Sequence, residues 1–201
     1  MKSIATLLLI TLLTTGSLLA EEWIPLFNGK DLTGWTAEGA VDVQVSDGVI
    51  VGKQKTVKGG NLIHETDYDN FELRFSYKVD WPANSGVWFR FNGKKGYQFD
   101  ILKHPKPVAF SGALYCPGKL FITNNLDESL EKRDDWNEGR ILANGEELKL
   151  WLNGTLVGEA KDSTHSKGKI AIQIHGGKQF TEMGIHIRSI EIREIDSDTA
   201  S

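Results

Sequence analysis

Cysteine is nearly absent: Cys116 stands alone in 201 residues. No internal disulfide can form, and no cysteine-based zinc site exists. Cys116 reads as a small packed residue; a catalytic thiol is the other reading, but no motif surrounds it. Excess positive charge is missing too. The net charge is -4 and no Lys/Arg block is interleaved with aromatics, so nothing electrostatic favours nucleic acid or an anionic membrane. Beyond residue 20 no helix-period segment of convincing length occurs, and neither a repeat nor a linker interrupts the chain. What remains, 40% hydrophobic and 25% charged, is the composition of a soluble globular protein, and the length suits one all-β domain.

The first twenty residues read as a secretory signal peptide rather than as part of the fold. Lys2 supplies the positive start, Ile4–Leu13 is apolar apart from Thr6 and Thr11, and Thr14–Ala20 is small or apolar. The segment is short for a membrane span. Cleavage after Ala20 is the expected processing, although Leu18 is not the small residue preferred at the third position back. With no cysteine near that point, a lipoprotein anchor is not expected. The expectation is a secreted or periplasmic protein without a stable membrane anchor: a signal peptide over 1–20, a single domain over 21–201, and a polar, frayed tail over 196–201.

Alternating apolar and polar residues recur down the rest of the chain, separated by Gly, Asn and Asp turns. Val41–Val45 and Val49–Val51 flank Ser46-Asp47-Gly48. Phe71, Leu73, Phe75, Tyr77 and Val79 alternate with Glu72, Arg74, Ser76 and Lys78. Asn92-Gly93, Asn144-Gly145 and Asn153-Gly154 are hairpin turn pairs, because both positions accept positive φ. Lys169–His175 and Gly184–Ile195 supply further strands. About a dozen short strands predict a β-sandwich or jelly roll. Cys116–Gly139 reads as a long loop, of the kind that forms a functional rim or lid.

One face of this pattern is not an idle solvent face. In "SGVWFRFNGKKGYQFDIL" (85–102), Val87, Phe89 and Phe91 alternate with Trp88 and Arg90, and Tyr97, Phe99 and Ile101 alternate with Gln98 and Asp100. In "KIAIQIHGG", Gln173 and His175 oppose three isoleucines. If these strands are neighbours, Trp88, Arg90, Gln98, Asp100, Gln173 and His175 share one surface, which suits a sugar. Arginine and carboxylate bond hydroxyls, and glutamine donates and accepts at once. Indole covers the C–H side of a ring, and histidine moves protons near neutrality. The plainer alternatives are an Arg90–Asp100 cross-strand salt bridge on a wet face, a structural histidine, and a Trp88 that merely covers the sheet.

The segments "LFNGKDLTGW", "NSGVWFRF", "GYQFDIL", "GALY", "WNEGRILANGEELKLWLNG" and "IAIQIHGG", with "IRSIEIREI" near the end, occur in this order. Together they resemble the 3-keto-disaccharide hydrolase family, whose members are also described as 3-keto-glucoside 1,2-lyases and 3-keto-2-hydroxy-glucal hydratases. The resemblance covers about residues 23–195. It implies a concanavalin A-like jelly roll of two antiparallel sheets with ligand on the concave one, and an enzyme cleaving 3-keto-glycosides. A C3 ketone acidifies the hydrogen on C2; removing it lets the glycosidic oxygen leave C1, and water added to the enone completes a net hydrolysis. The roles it implies are His175 as general base or acid, Asp100 as its acid/base partner or a metal ligand, and Arg90 as the group stabilising the enolate. Gln98, Gln173, Trp88 and Tyr97 would contact substrate, although alternation puts Tyr97 on the core face. His64 and Glu65 would enter from a rim, or else lie on an ordinary surface. A divalent metal, held by Asp100 and His175, would be a Lewis acid for the enolate.

The resemblance departs from the family pattern in places. Relatives carry Glu and Gln where this chain has Gln98 and Asp100, an exchange that keeps the carboxylate on one face. Glu138-Gly139 replaces an aromatic after "WN", and "CPGKLFITNN" is a reduced rim. A laminarinase-type glycosidase would need two carboxylates roughly 5–5.5 Å apart, and no Glu-x-Asp-x-x-Glu motif is present. A non-catalytic, lectin-like carbohydrate-binding module is the alternative that the same polar face would serve.

Overall fold

The computed structural model describes residues 22–195. The signal peptide and the frayed tail expected from the sequence lie outside the described residues. Thirteen strands follow one another: β1 (Ile24–Pro25), β2 (Trp35–Ser46), β3 (Val49–Tyr68), β4 (Phe71–Val79), β5 (Asn84–Phe91), β6 (Tyr97–Pro105), β7 (Val108–Cys116), β8 (Leu120–Asn125), β9 (Asn137–Asn144), β10 (Glu147–Leu152), β11 (Thr155–Lys161), β12 (Gly168–His175) and β13 (Gly184–Glu194). Two short 3-10 turns, Glu128–Leu130 and Lys178–Phe180, interrupt them. All the pairings are antiparallel.

The hydrogen-bonded order is β11-β10-β9-β4-β13-β3-β12-β5-β6-β7-β8, with β1 on β13 and β2 on β3. It folds into two layers because β3 serves both. Its first residues pair with β13 through Ile50↔Ile187, and its last with β12 through Leu62↔Ile172. Between them the β2 register jumps from Ala40↔Gly59 to Val41↔Gln54. The crossing is tight: a Cβ on Gly60 would lie 2.0 Å from the Glu38 carbonyl oxygen, so only glycine fits there. At the far side β11 packs against β7 and β8, completing a jelly-roll sandwich.

The alternation of β4 works as read. Phe71, Leu73, Phe75, Tyr77 and Val79 are all buried between the layers, each such side chain contributing about 1.5–3 kcal/mol. Phe75 meets Phe99 of the opposite layer edge-on, with centroids 5.2 Å apart. Asp47 and Gly48, and likewise Asn153 and Gly154, take positive φ in two-residue hairpins.

Three readings are corrected. Glu147 pairs with Asn144, so the turn is Gly145-Glu146, one residue beyond the Asn-Gly pair. Asn92 instead caps a longer loop, its Oδ1 accepting from the Lys94 and Lys95 amides. The segment taken as a long loop contains β8, paired to β7 through Leu114↔Thr123 and Tyr115↔Phe121. β8 is an edge strand whose side chains are mostly half-exposed, so it has no buried face to produce an alternating pattern.

Candidate active site

Register places the polar residues in rows across the outer face of the β3-β12-β5-β6-β7 layer. One row runs Ile63, Ala171, Trp88, Gln98, Tyr115. The next runs Asn61, Gln173, Gly86, Asp100. The row beyond it holds Gly59 and His175, with Asn84 opposite Leu102. Strands lie about 4.8 Å apart and a two-residue step is about 6.7 Å, so the Asp100 and His175 backbones are separated by about 12 Å. Both side chains line one cleft of ≈ 450 Å³.

The floor is aromatic. Trp88 stacks on Phe91 at 5.2 Å and meets Tyr115 edge-on at 6.0 Å, and its Nε1 has no protein partner. Beside it Gln98 Nε2 donates to Gln173 Oε1 at 3.0 Å. Asp100 is 4% exposed, and burial pushes its carboxyl well above the ordinary carboxylate range. Burial therefore favours its neutral form, which is a donor as well as an acceptor. Burial and the nearby Asp100 push the Tyr115 phenol up as well. The His175 ring engages the Gly176 carbonyl through Nδ1, so the proton sits on Nδ1 and the Nε2 lone pair is left free.

The predicted set divides. Trp88, Gln98, Asp100, Gln173 and His175 come together in the cleft; Arg90 does not. Between Lys169↔Phe91 and Ala171↔Trp88, β5 carries one more residue than β12, and Arg90 is that bulged residue at φ 49°. Phe91 therefore turns to the Trp88 side instead of the core. The Arg90 guanidinium, 1% exposed, donates to the carbonyls of Asp69 (2.6 and 2.9 Å), Gly145 (2.8 Å) and His165 (3.1 Å). It ties three loops together and forms no salt bridge with Asp100.

Tyr97 faces inward as its parity required. Its hydroxyl donates to Asp162 at 2.6 Å, and burial followed by that carboxylate pushes it up to about 12. His64 packs edge-on to Trp35 at 5.0 Å and stacks on Tyr68 at 6.0 Å, and burial pulls its pKa down. Glu65 is exposed beside it, and neither lines the cleft. Cys116 is fully buried, and burial raises its thiol pKa. Residues that sequence reasoning missed are Tyr115, His104, Asn84 and Phe121. His104 continues the parity of Gln98, Asp100 and Leu102, so its signal was present; Phe121 lies on the unrecognised β8. Among the described residues no three His, Cys, Asp or Glu side chains converge to hold a metal. Asp100 and His175 would need water and substrate as further ligands.

The family model described as a 3-keto-alpha-glucoside-1,2-lyase-like domain matches residues 22–193. A 3-keto-disaccharide hydrolase of Bacteroides thetaiotaomicron is 32% identical over 80 residues, which is 35% of this chain and 28% of that protein. This chain thus matches well under half the length of that curated relative. Two candidate glycosyl hydrolases of Parabacteroides distasonis share the fold. One has a TM-score of 0.70 at 20% identity, covering 88% of this chain and 95% of that one. The other has a TM-score of 0.68 at 24% identity, covering 87% and 100%. A carbohydrate-binding module, CBM66 of Bacillus subtilis, aligns with a TM-score of 0.55 at 16% identity over 80% of this chain and 96% of that one. By the match along nearly its whole described length, the chain belongs to the family of 3-keto-alpha-glucoside-1,2-lyase-like domains.

Proposed function

We propose that the chain cleaves 3-keto-glycosides in the Trp88–Asp100–His175 cleft, by elimination across C1 and C2 followed by hydration. The observation that carries this reading is the placement of Asp100 and His175 on adjacent rows of one cleft, with Gln173 beside both and with Trp88 and Gln98 on the next row beyond Asp100. A pyranose ring lying over Trp88 presents its C–H face to the indole. Its C3 oxygen points toward Asp100 and its C1–C2 edge toward His175.

The His175 Nε2 lone pair takes the proton from C2, and the electrons of that bond form an enolate over C2, C3 and O3. The neutral carboxyl of Asp100 donates a hydrogen bond to O3 as negative charge grows there, a role in which burial is an advantage. Arg90, expected to do this, is occupied elsewhere. The enolate then collapses: C3=O re-forms, C1=C2 forms, and the C1–O bond breaks. The imidazolium returns its proton to the leaving oxygen, which lies one carbon from where the proton was taken. Water added across C1=C2 gives the free 3-keto sugar.

We further propose that the protein acts outside the cytoplasm, on the strength of the residue 1–20 pattern; fractionation of the expressing cells and the N-terminal residue of the mature protein test it. The reaction is tested with purified protein and a 3-keto-glucoside, following aglycone release and the ultraviolet absorbance of the enone. Turnover that is lost in His175→Ala and Asp100→Ala, both folded by circular dichroism, is expected. Sugar binding without turnover, with and without added divalent metal, would make the chain a lectin-like module instead.

A further inference from the structure

Where β3 crosses between the two layers, it runs flush against the segment that carries His175. A Cβ on Gly59 would stand 2.3 Å from the Ile174 carbonyl oxygen, and one on Gly176 would stand 2.4 Å from the Val57 carbonyl oxygen. Just before the crossing, the half-buried Gln54 side chain reaches Gly177, a residue 123 positions away. Its Nε2 donates to the Gly177 carbonyl at 2.9 Å, and its Oε1 accepts from the Gly177 amide at 3.0 Å. One carboxamide thus engages both backbone groups of one residue, which only a side chain that donates and accepts at once can do.

The Gly177 amide belongs to the same planar peptide unit as the Gly176 carbonyl, and in a trans peptide the two groups point in opposite directions. At one end the N–H is held by Gln54; at the other the carbonyl oxygen faces His175 Nδ1. A continuous chain of bonds therefore runs from Gln54 Oε1 through this peptide to the imidazole, and each bond polarises the next. A peptide flanked by two glycines has little steric resistance to rotation, so Gln54 supplies the hold. Turned over, the peptide would present its N–H to Nδ1. The ring would then accept at Nδ1 and carry its proton on Nε2, and the lone pair that abstracts the C2 proton would be gone. The Gly177 carbonyl also accepts from the Phe180 amide at 3.1 Å, and the Phe180 ring meets the imidazole edge-on with centroids 5.5 Å apart. The same clamp therefore seats a side wall of the ring.

We propose that Gln54 is a positioning residue for His175, fixing the Gly176–Gly177 peptide so that Nε2 stays free as the base. The proposal rests on the reading of His175 as the base and deepens it.

The test pairs Gln54→Met, which keeps the length and loses both bonds, with Gln54→Glu, which keeps an acceptor for the Gly177 amide and loses the donor. NMR of the ring nitrogens, at a pH where the ring is neutral, reads where the proton sits; the His175 signals are assigned by their loss in His175→Ala. The proton is expected on Nδ1 in wild type and Gln54→Glu, and displaced toward Nε2 in Gln54→Met. On a 3-keto-glucoside, Gln54→Met is expected to lower kcat about 10–10²-fold with KM within about twofold, and Gln54→Glu to stay within about threefold of wild type. A proton that remains on Nδ1 in Gln54→Met, or equal losses of kcat in the two variants, would overturn the proposal. Wild type is itself a test: a proton on Nε2, or a Gly177 amide exchanging with solvent as fast as an open loop, overturns it as well. The expected tautomers in a protein that shows no turnover would uphold the positioning and sink only the elimination reading.

Discussion

Gln98 and Gln173 join their carboxamides across an intervening strand, Nε2 of one donating to Oε1 of the other at 3.0 Å. Only Gly86 makes this possible. A Cβ at that position would stand 2.6 Å from Gln98 Nε2 and 2.7 Å from the Phe99 carbonyl oxygen. The bond uses one donor of Gln98 and the carbonyl of Gln173, leaving a carbonyl on the first and an amide group on the second for ligand hydroxyls.

Gly86→Ala should therefore push the Gln98 side chain out of its place and, through the Phe99 carbonyl, strain the β5–β6 pairing, so Tm should fall as well. The expected result is a rise in KM of about tenfold, roughly one lost charge-neutral hydrogen bond with its displaced partner. kcat should fall less than KM rises. Steady-state kinetics on a 3-keto-glucoside, with a Tm measurement alongside, checks both parts.

Asp100 links activity to stability in opposite directions. Asn keeps a donor at O3, so Asp100→Asn should lose less activity than Asp100→Ala, about tenfold against about 10²–10³-fold. The folded carboxyl is held above its unfolded value by burial. Its contribution to stability is thus full at low pH and is lost as pH rises through the folded pKa, where a charge must be buried. Asn cannot ionise. The Tm of Asp100→Asn minus that of wild type should therefore grow as pH rises above the ordinary aspartate value of about 3.9 toward the raised folded one, by about 2–4 °C for each kcal/mol of that cost. Glu131 is also held high by burial, but it is common to both proteins and cancels. A difference that stays flat with pH would refute the neutral carboxyl.

Replacing His175 with alanine should reduce kcat/KM by about 10²–10⁴-fold, the usual contribution of a general base. Because the ring lies at the cleft and is half-buried, Tm should move little. Exchange of the C2 hydrogen with deuterated solvent, followed by NMR, isolates the first proton transfer and should disappear in the same variant.

Arg90→Leu should behave in the opposite way. It leaves the carbonyls of Asp69, Gly145 and His165 without their buried donor, a loss of about 2–4 kcal/mol in urea unfolding. kcat per folded molecule should stay within about twofold, because the guanidinium does not reach the cleft. A large loss of kcat at unchanged stability would return Arg90 to the catalytic set.

Parity is a property of the local backbone, and it was legible. Each strand sends successive side chains to opposite faces whatever its neighbours do. The sandwich class, the buried set of β4, the inward Tyr97 and the shared face of Trp88, Gln98, Asp100, Gln173 and His175 all follow from residues a few positions apart. Asn153-Gly154 likewise announces its own hairpin, because both residues tolerate positive φ.

What depends on a second strand was not legible. Arg90 and Phe91 obey a bulge created by how β12 pairs with β5, a fact about residues some eighty positions away. β8 is defined by its pairing with β7 rather than by a pattern of its own. The high pKa of Asp100 comes from burial, which no spacing encodes. The sequence by itself determined which face of each strand is polar, because that is set by a repeat of two residues. The tertiary structure decided which of those polar groups share a cleft, because that is set by long-range register and burial.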